Sequence, residues 1–113
     1  MFKVIFYKSL RGEEFAKEFL DKLPDRNKEK VITTLMYLEK HGNQAKRPYA
    51  DLLRDKIYEL RVHFGGLNVR ILYFFDEKLI VLTHGFLKKS DAVPPTEIGR
   101  ALNIRTDYFK RKS

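Results

Sequence analysis

The spacing of apolar residues differs from segment to segment along the chain. In the first half it predicts one strand followed by two helices. Residues 2–8 alternate loosely and are rich in side chains that favour strands. Ser9 is expected to cap a first helix that begins near Arg11, and Pro24 separates it from a second helix that ends at Gly42. The apolar positions at helical spacing are Phe15, Phe19, Leu20 and Leu23 in the first helix, and Val31, Ile32, Leu35 and Leu38 in the second.

The pattern in the second half predicts three strands and a final helix. The predicted strands lie near residues 57–64, 67–75 and 79–87. Residues 43–50 are expected to be a polar loop, residues 51–56 are ambiguous, and the helix opens near Thr96 after two prolines. The order β-α-α-β-β-β-α predicts one α+β domain over residues 1–113. We expect a twisted antiparallel sheet that includes the N-terminal strand, with the helical hairpin and the C-terminal helix covering one face.

The central hairpin has a predicted register because Gly65 and Gly66 suit a two-residue turn. Counting back from that turn places Arg61 opposite Arg70 and leaves Glu59 diagonal to Arg70. The other face of the hairpin is apolar and should lie on the helices; its residues include Leu60, Val62, Phe64, Leu67, Val69 and Ile71. Two arginines that face each other repel, so the polar face needs a counter-charge.

Two interpretations of this polar face remain open at the level of sequence. In the first, the face is exposed to solvent and Glu59 bridges the arginines as an ordinary surface ion pair. In the second, the face binds phosphate, because guanidinium groups match phosphate oxygens in a bidentate manner and strands hold them in fixed positions. His63, which pairs with Asn68, would lie beside such a site.

The third strand adds His84 near its end, with Lys88 and Lys89 just beyond it. A histidine beside arginine and lysine can supply proton transfer and charge stabilisation for phosphodiester cleavage without a metal. A lone histidine on an apolar strand is also common as a hydrogen-bonded core residue. A three-residue turn at 76–78 would pair His84 with Arg70, whereas a two-residue turn would place it on the other face.

Composition limits the classes of function. The net charge of +8 favours polyanionic partners. The chain has no cysteine, and its three histidines lack the spacing of a metal site, so we expect neither disulfide, metal nor cofactor. The lack of cysteine suits a cytoplasmic protein. No apolar run is long enough to span a membrane, and the N-terminus does not resemble a signal peptide.

Several stretches, taken in order, resemble the HigB-like branch of the RelE/ParE toxin superfamily. The family pattern is a strand ending in E-L-R, a strand beginning R-I-L-Y, a strand ending in H-x-F-x-K-K and a helix introduced by P-x-x-E-I. All four parts occur here, within "IYELRVHFGGLNVRILYFF", "KLIVLTHGFLKKS" and "VPPTEIGRAL", and the upstream "HGNQAKRPYADLL" matches too. The resemblance covers nearly the whole chain and implies a RelE-like microbial ribonuclease fold.

This resemblance implies the toxin of a type II toxin–antitoxin pair. Similar proteins are metal-independent endoribonucleases that cut messenger RNA, usually on the translating ribosome, and thereby inhibit translation. The basic residues of the family correspond to Arg61, Arg70, Lys88 and Lys89, with His84 as a possible addition. For RNA binding we add His63 to the arginines and lysines, and the candidate bases are His84, His63 and Glu59, in falling order.

The resemblance also implies a partner and leaves two other functions open. The cognate antitoxin is expected to be a helix-turn-helix DNA-binding protein that forms a higher-order complex with the toxin and docks on the helical hairpin of residues 11–42. One alternative is a ParE-like toxin that poisons DNA gyrase and lacks ribonuclease activity. The other is a non-catalytic basic domain that binds nucleic acid.

Overall fold

The computed structural model describes residues 1–112 as an α+β fold built around one sheet. The strands are β1 (Lys3–Phe6), β2 (Ala50–Arg54), β3 (Ile57–Phe64), β4 (Leu67–Asp76) and β5 (Leu79–Leu87). The helices are α1 (Phe15–Asp21), α2 (Asp25–His41) and α3 (Pro95–Lys112), with a short 3₁₀ helix, Gly42–Gln44, after α2. No helix in this range combines the length and the apolar character that crossing a membrane requires.

The sheet is mixed and has the strand order β1-β5-β4-β3-β2. The predicted strands β3, β4 and β5 are confirmed and form antiparallel pairs. Two features differ from expectation: β1 runs parallel to β5, and β2 is a fifth strand where a loop and an ambiguous segment were predicted. The turn into β3 uses Asp55 and Lys56, both with positive φ, so the glycine signal of a tight turn is missing from the sequence.

Apolar residues on the two faces of the sheet build two cores. The predicted apolar face, with Leu60, Val69 and Ile71, packs against Val31 and Leu35 of α2. The alternate residues of the same sheet pack against α3 instead. This second core includes Ile57, Leu72, Phe74, Val81, Ile98, Ala101 and Ile104. The expectation that all helices cover one face is therefore wrong for α3, which shields part of the polar face of the hairpin.

The first helix begins later than predicted. Ser9 does act as a cap, because its hydroxyl accepts a hydrogen bond from the Glu13 amide (3.0 Å), but it closes a turn that precedes the helix. Gly12 lies within that turn with a φ of 88°, and α1 starts only at Phe15. Phe19 of α1 then packs directly over Gly85 of β5, where a Cβ atom would collide with its ring.

The hairpin between β4 and β5 places His84 in neither of the two registers left open by the sequence. Asp76 pairs with Leu79, so the turn has two residues, and a register shift follows between Leu72 and Tyr73. This β-bulge adds one residue to β5 and returns His84 to the face that carries Arg70. His84 nevertheless pairs with Leu72, while Phe86 stands opposite Arg70.

Candidate nucleic-acid interface

The predicted register of the central hairpin is confirmed and brings Arg61 and Arg70 opposite each other. Glu59 lies between them: Arg61 Nη1 donates to Glu59 Oε2 at 3.1 Å, and Arg70 Nε lies 3.0 Å from Glu59 Oε1. Arg70 Nη1 also donates to the carbonyl oxygen of Val69 at 3.0 Å. One carboxylate therefore compensates two guanidinium groups, and the group of three keeps one net positive charge.

This group is buried and is not a surface ion pair. Glu59 is 2% exposed and Arg70 is 3% exposed, while the Arg61 side chain retains 23% exposure. The first interpretation of the polar face, an exposed sheet surface, is therefore wrong, although its bridging role for Glu59 is confirmed. Charges this deeply buried normally need compensation from several partners, because removal from water is costly.

The buried group leaves hydrogen-bonding capacity unused. Within residues 1–112, Arg61 Nε, Arg70 Nε and Glu59 Oε1 are buried without a hydrogen-bond partner; the Arg70–Glu59 contact is an ion pair that lacks hydrogen-bond geometry. Burial lowers the pKa of Arg70 and repulsion from Arg61 adds to that effect, whereas Glu59 raises it. Arginine stays protonated in proteins, so both guanidinium groups remain charged and keep N–H groups without an acceptor.

Two cavities adjoin the arginines and share Arg61. The larger has a volume of about 350 Å³; its lining includes Arg61, Arg70, His63, Asn68, Tyr49, Lys30 and Thr34. The smaller has a volume of about 230 Å³; its lining includes Arg61, Glu59, Arg47, Asp51, Lys88 and residues 91–93. Arg61 thus stands at the junction of two spaces, one open towards α2 and one beneath the segment that leads into α3.

His63 is held in one tautomer by its strand partner. Its Nδ1 lies 2.7 Å from the side-chain oxygen of Asn68, which can only accept, so Nδ1 carries the proton. Nε2 is then the acceptor nitrogen of the ring. His63 is exposed and lines the 350 Å³ cavity beside both arginines.

His84 lies away from both cavities. It is 1% exposed, and its Nε2 lies 2.9 Å from Glu97 Oε1 at the start of α3. Its Nδ1 lies 3.0 Å from the hydroxyl of Thr83, which also lies 3.1 Å from the carbonyl oxygen of Leu72. Burial lowers the pKa of His84, and the hydrogen bond to Glu97 opposes that effect.

The two predicted lysines are placed differently. The backbone N–H of Lys88 donates to the Asn68 carbonyl oxygen at 2.8 Å, and its Nζ donates to the Asp91 carbonyl oxygen at 3.1 Å. Lys88 therefore lines the 230 Å³ cavity, whereas Lys89 is exposed and lines neither of the two cavities. The structure brings together Arg61, Arg70, His63 and Lys88 of the predicted site residues, and leaves His84 and Lys89 outside that group.

Sequence reasoning missed three residues that line the larger cavity: Lys30, Thr34 and Tyr49. Lys30 and Thr34 lie on the polar side of α2, where nothing distinguishes them from other surface residues. Tyr49 is the only aromatic residue of the loop predicted to be polar, and this was the one feature of the sequence that could have indicated its role in the cavity.

Two further observations limit the chemistry. Across residues 1–112, no three His, Asp or Glu side chains come together as a metal-binding group. A larger cavity, about 920 Å³, lies at the other end of the sheet between Phe2 and Phe109 and is lined by none of the predicted site residues. The charged side chains of the candidate site therefore lie apart from this cavity.

Comparison with known proteins gives one family match. The model of the family described as phage derived protein Gp49-like (DUF891) matches residues 18–106 and thus spans α2, all three strands of the β3–β5 meander and most of α3. No curated protein matches the chain.

Proposed function

The chain belongs to the family of Gp49-like phage-derived proteins, a RelE/HigB-like toxin family of toxin–antitoxin systems, and from this premise we propose that it is a metal-independent endoribonuclease. Its substrate would be messenger RNA in the cytoplasm, cut on the translating ribosome. Assignment to the HigB branch belongs to the same proposal. The observation that carries it is the Arg61–Glu59–Arg70 group, which has one positive charge in excess and whose two arginines line the 350 Å³ cavity.

In the proposed reaction, the 2′-oxygen of one nucleotide attacks the adjacent phosphorus. A new O–P bond forms, the bond from phosphorus to the 5′-oxygen breaks, and a 2′,3′-cyclic phosphate or its hydrolysis product remains. Arg61 and Arg70 would bind the phosphate and stabilise the charge that develops on its oxygens. Lys88 would contact the leaving side and supply the proton that the 5′-oxygen needs.

The proton of the 2′-hydroxyl would pass to His63. Asn68 holds the proton on Nδ1, which leaves Nε2 free to act as a base, and the ring lines the same cavity as both arginines. Glu59 would serve to compensate the arginines, and His84 would fix α3 against β5 through Glu97. This assignment puts His63 ahead of His84, the first candidate base from sequence alone, because His84 is 1% exposed and lines neither cavity beside the arginines.

The test compares Arg61→Ala with Arg54→Ala in a cleavage assay on messenger RNA bound to translating ribosomes. Arg61 is chosen because it is less buried than Arg70, and Arg54 is an exposed arginine on β2 paired with Asp55. We expect Arg61→Ala to lose about 10²–10³-fold in cleavage rate and Arg54→Ala to keep it. Undiminished cleavage and undiminished growth arrest by Arg61→Ala, in a folded protein, would contradict the phosphate site.

Inducing the protein in cells separates the proposed activity from its alternatives. Rapid loss of protein synthesis with cleaved transcripts is the expected result. DNA damage signalling with intact transcripts would point to a gyrase poison, and RNA binding without cleaved products would point to a simple binding domain. We also propose that an antitoxin docks on α2, where Ile32 and Met36 are exposed one turn apart.

A further inference from the structure

Tyr49 forms an aromatic wall of the 350 Å³ cavity and is held in place by its backbone. Its carbonyl oxygen accepts a hydrogen bond from the Arg61 amide at 2.8 Å, and its own amide donates to the Lys46 carbonyl oxygen at 3.0 Å. The position of the ring is therefore tied to β3 beside Arg61. A side chain that binds a ligand has to be held in a fixed position, and these two hydrogen bonds fix the backbone of Tyr49.

The ring itself is not a core residue. Tyr49 is 46% exposed, whereas Tyr73 on β4 is 1% exposed. The ring of Tyr37 supports it from α2, with ring centres 4.7 Å apart and planes inclined by 52°. Tyr37 in turn packs against His41 at 4.3 Å. A tyrosine supported from one side and open on the other offers a free aromatic surface for a planar ligand.

The surroundings of this surface are cationic. Lys30 on α2 and the two arginines line the same cavity, and Lys46 and Arg47 precede Tyr49 in the connecting segment. Arg47 is paired with Asp51 at 3.0 Å, so its charge is partly compensated. Proteins that bind single-stranded nucleic acid combine these same two parts, a positive groove for phosphates and aromatic rings for bases.

We propose that this cavity binds one unpaired nucleobase of RNA, stacked on Tyr49, with the scissile phosphate at Arg61. This inference rests on the proposed ribonuclease function and adds a base subsite to it. The volume of about 350 Å³ falls at the lower end of small-ligand sites, roughly 300–1,000 Å³. A base can reach the ring only when it is unstacked from its neighbours, so the site selects single-stranded over duplex RNA.

The test measures binding of short, mixed-sequence, single-stranded RNA with 2′-fluoro groups, which lacks the nucleophile and is not cut. Tyr49→Ala should weaken binding about ten- to hundredfold, which is the loss expected for one base stacked on an aromatic ring. Tyr49→Phe keeps the ring and should restore most of the affinity. Phe109→Ala removes an aromatic residue of similar exposure (39%) at the far end of the molecule and is the matched control.

An abasic series identifies the stacked base. Each position of the RNA is made abasic in turn, and one position should reproduce the loss seen with Tyr49→Ala. Combining that abasic RNA with Tyr49→Ala should cause no further loss, because both changes remove the same contact. The base subsite would be overturned if the losses from the abasic RNA and from Tyr49→Ala multiplied when the two changes are combined. An unchanged affinity of a folded Tyr49→Ala protein would overturn it as well.

The results also separate this inference from the function on which it rests. If the parent protein binds the uncut RNA through Tyr49 but cleaves no natural RNA, the ribonuclease assignment fails and the base subsite stands. If the parent protein cleaves RNA and Tyr49→Ala binds it equally well, only the base subsite fails. If the parent protein binds no RNA, both fail. A Tyr49→Ala protein that binds RNA normally and loses affinity for its antitoxin would assign the cavity to a protein segment instead.

Discussion

Replacing Glu59 by Gln tests whether the buried group stores affinity for an anion. The substitution keeps the size and shape of the side chain and removes its charge. Arg61 and Arg70 would then face each other across two strands without a carboxylate between them. Because Arg70 is 3% exposed, water cannot replace the lost partner. We therefore expect a large loss of stability from a change of very few atoms.

The magnitude follows from the distances. Two unit charges 3.0 Å apart, as in the Arg70–Glu59 pair, attract by about 5 kcal/mol at an effective dielectric constant of about 20. Leaving one partner of a buried pair uncompensated typically costs about 3–5 kcal/mol. At about 4 °C per kcal/mol for a domain of this size, Tm should fall by about 12–20 °C.

Thermal and urea unfolding followed by circular dichroism measure the effect. Asp21→Asn is the matched control, because Asp21 also bridges two cations, Lys17 and Lys28, but on the surface, where the side chain is 46% exposed. That control should change Tm little. Added sulfate should raise the Tm of Glu59→Gln more than that of the parent protein, because the anion can bind Arg61, which keeps 23% exposure and loses its carboxylate partner in this variant.

Two outcomes would refute this reasoning. A Glu59→Gln protein whose free energy of unfolding lies within about 0.5 kcal/mol of the parent value would show that the carboxylate contributes no more than an ordinary surface residue. An equal response of both proteins to sulfate would show that the arginines have no stored affinity. The double variant Glu59→Gln, Arg70→Met should recover part of the loss, since it removes the uncompensated charge.

Two further predictions concern pH and the antitoxin. Burial lowers the pKa of His84 below its ordinary 6.5, so the unfolded chain binds the proton more tightly than the folded protein does. The free energy of unfolding should therefore decline as pH falls below about 6.5, by at most about 1.4 kcal/mol per pH unit. Urea titrations at several pH values should show a flatter profile for His84→Gln; equal profiles would contradict this. Replacing Ile32 and Met36 by Glu should weaken antitoxin binding at least tenfold in a pull-down titration while RNA cleavage persists, with the exposed Leu10→Glu as control. Unchanged binding would place the antitoxin elsewhere.

The register of the central hairpin could be predicted because two independent signals agree. Gly65 and Gly66 both adopt positive φ, at 60° and 79°, as a two-residue turn requires. The alternation of apolar residues in both flanking strands then excludes a shift by one residue, which would expose the whole apolar face. The pairing of Arg61 with Arg70 follows from these two facts alone.

The burial of the polar face could not be predicted, because it depends on elements distant in sequence. Asp51 of β2 pairs with Glu59, and residues 91–93 line the 230 Å³ cavity beside it; neither segment has a local signal that places it there. β2 itself begins after a polar loop and ends at the Asp55–Lys56 turn, whose positive φ values of 53° and 62° occur without glycine. Tertiary contacts here override local preferences.

The bulge in β5 explains why residues close together in sequence acquire different roles. The extra residue turns His84 towards α3, where its Nε2 lies 2.9 Å from Glu97. Lys88, four residues further on, hydrogen-bonds through its backbone to Asn68 at the end of β4 and lines the cavity beside Arg61. A histidine opposite Arg70, as a three-residue turn at 76–78 would place it, would instead have faced the arginines directly. His84 pairs with Leu72, two residues away from Arg70, and lines neither cavity beside the arginines, so His63 is the histidine that remains next to them.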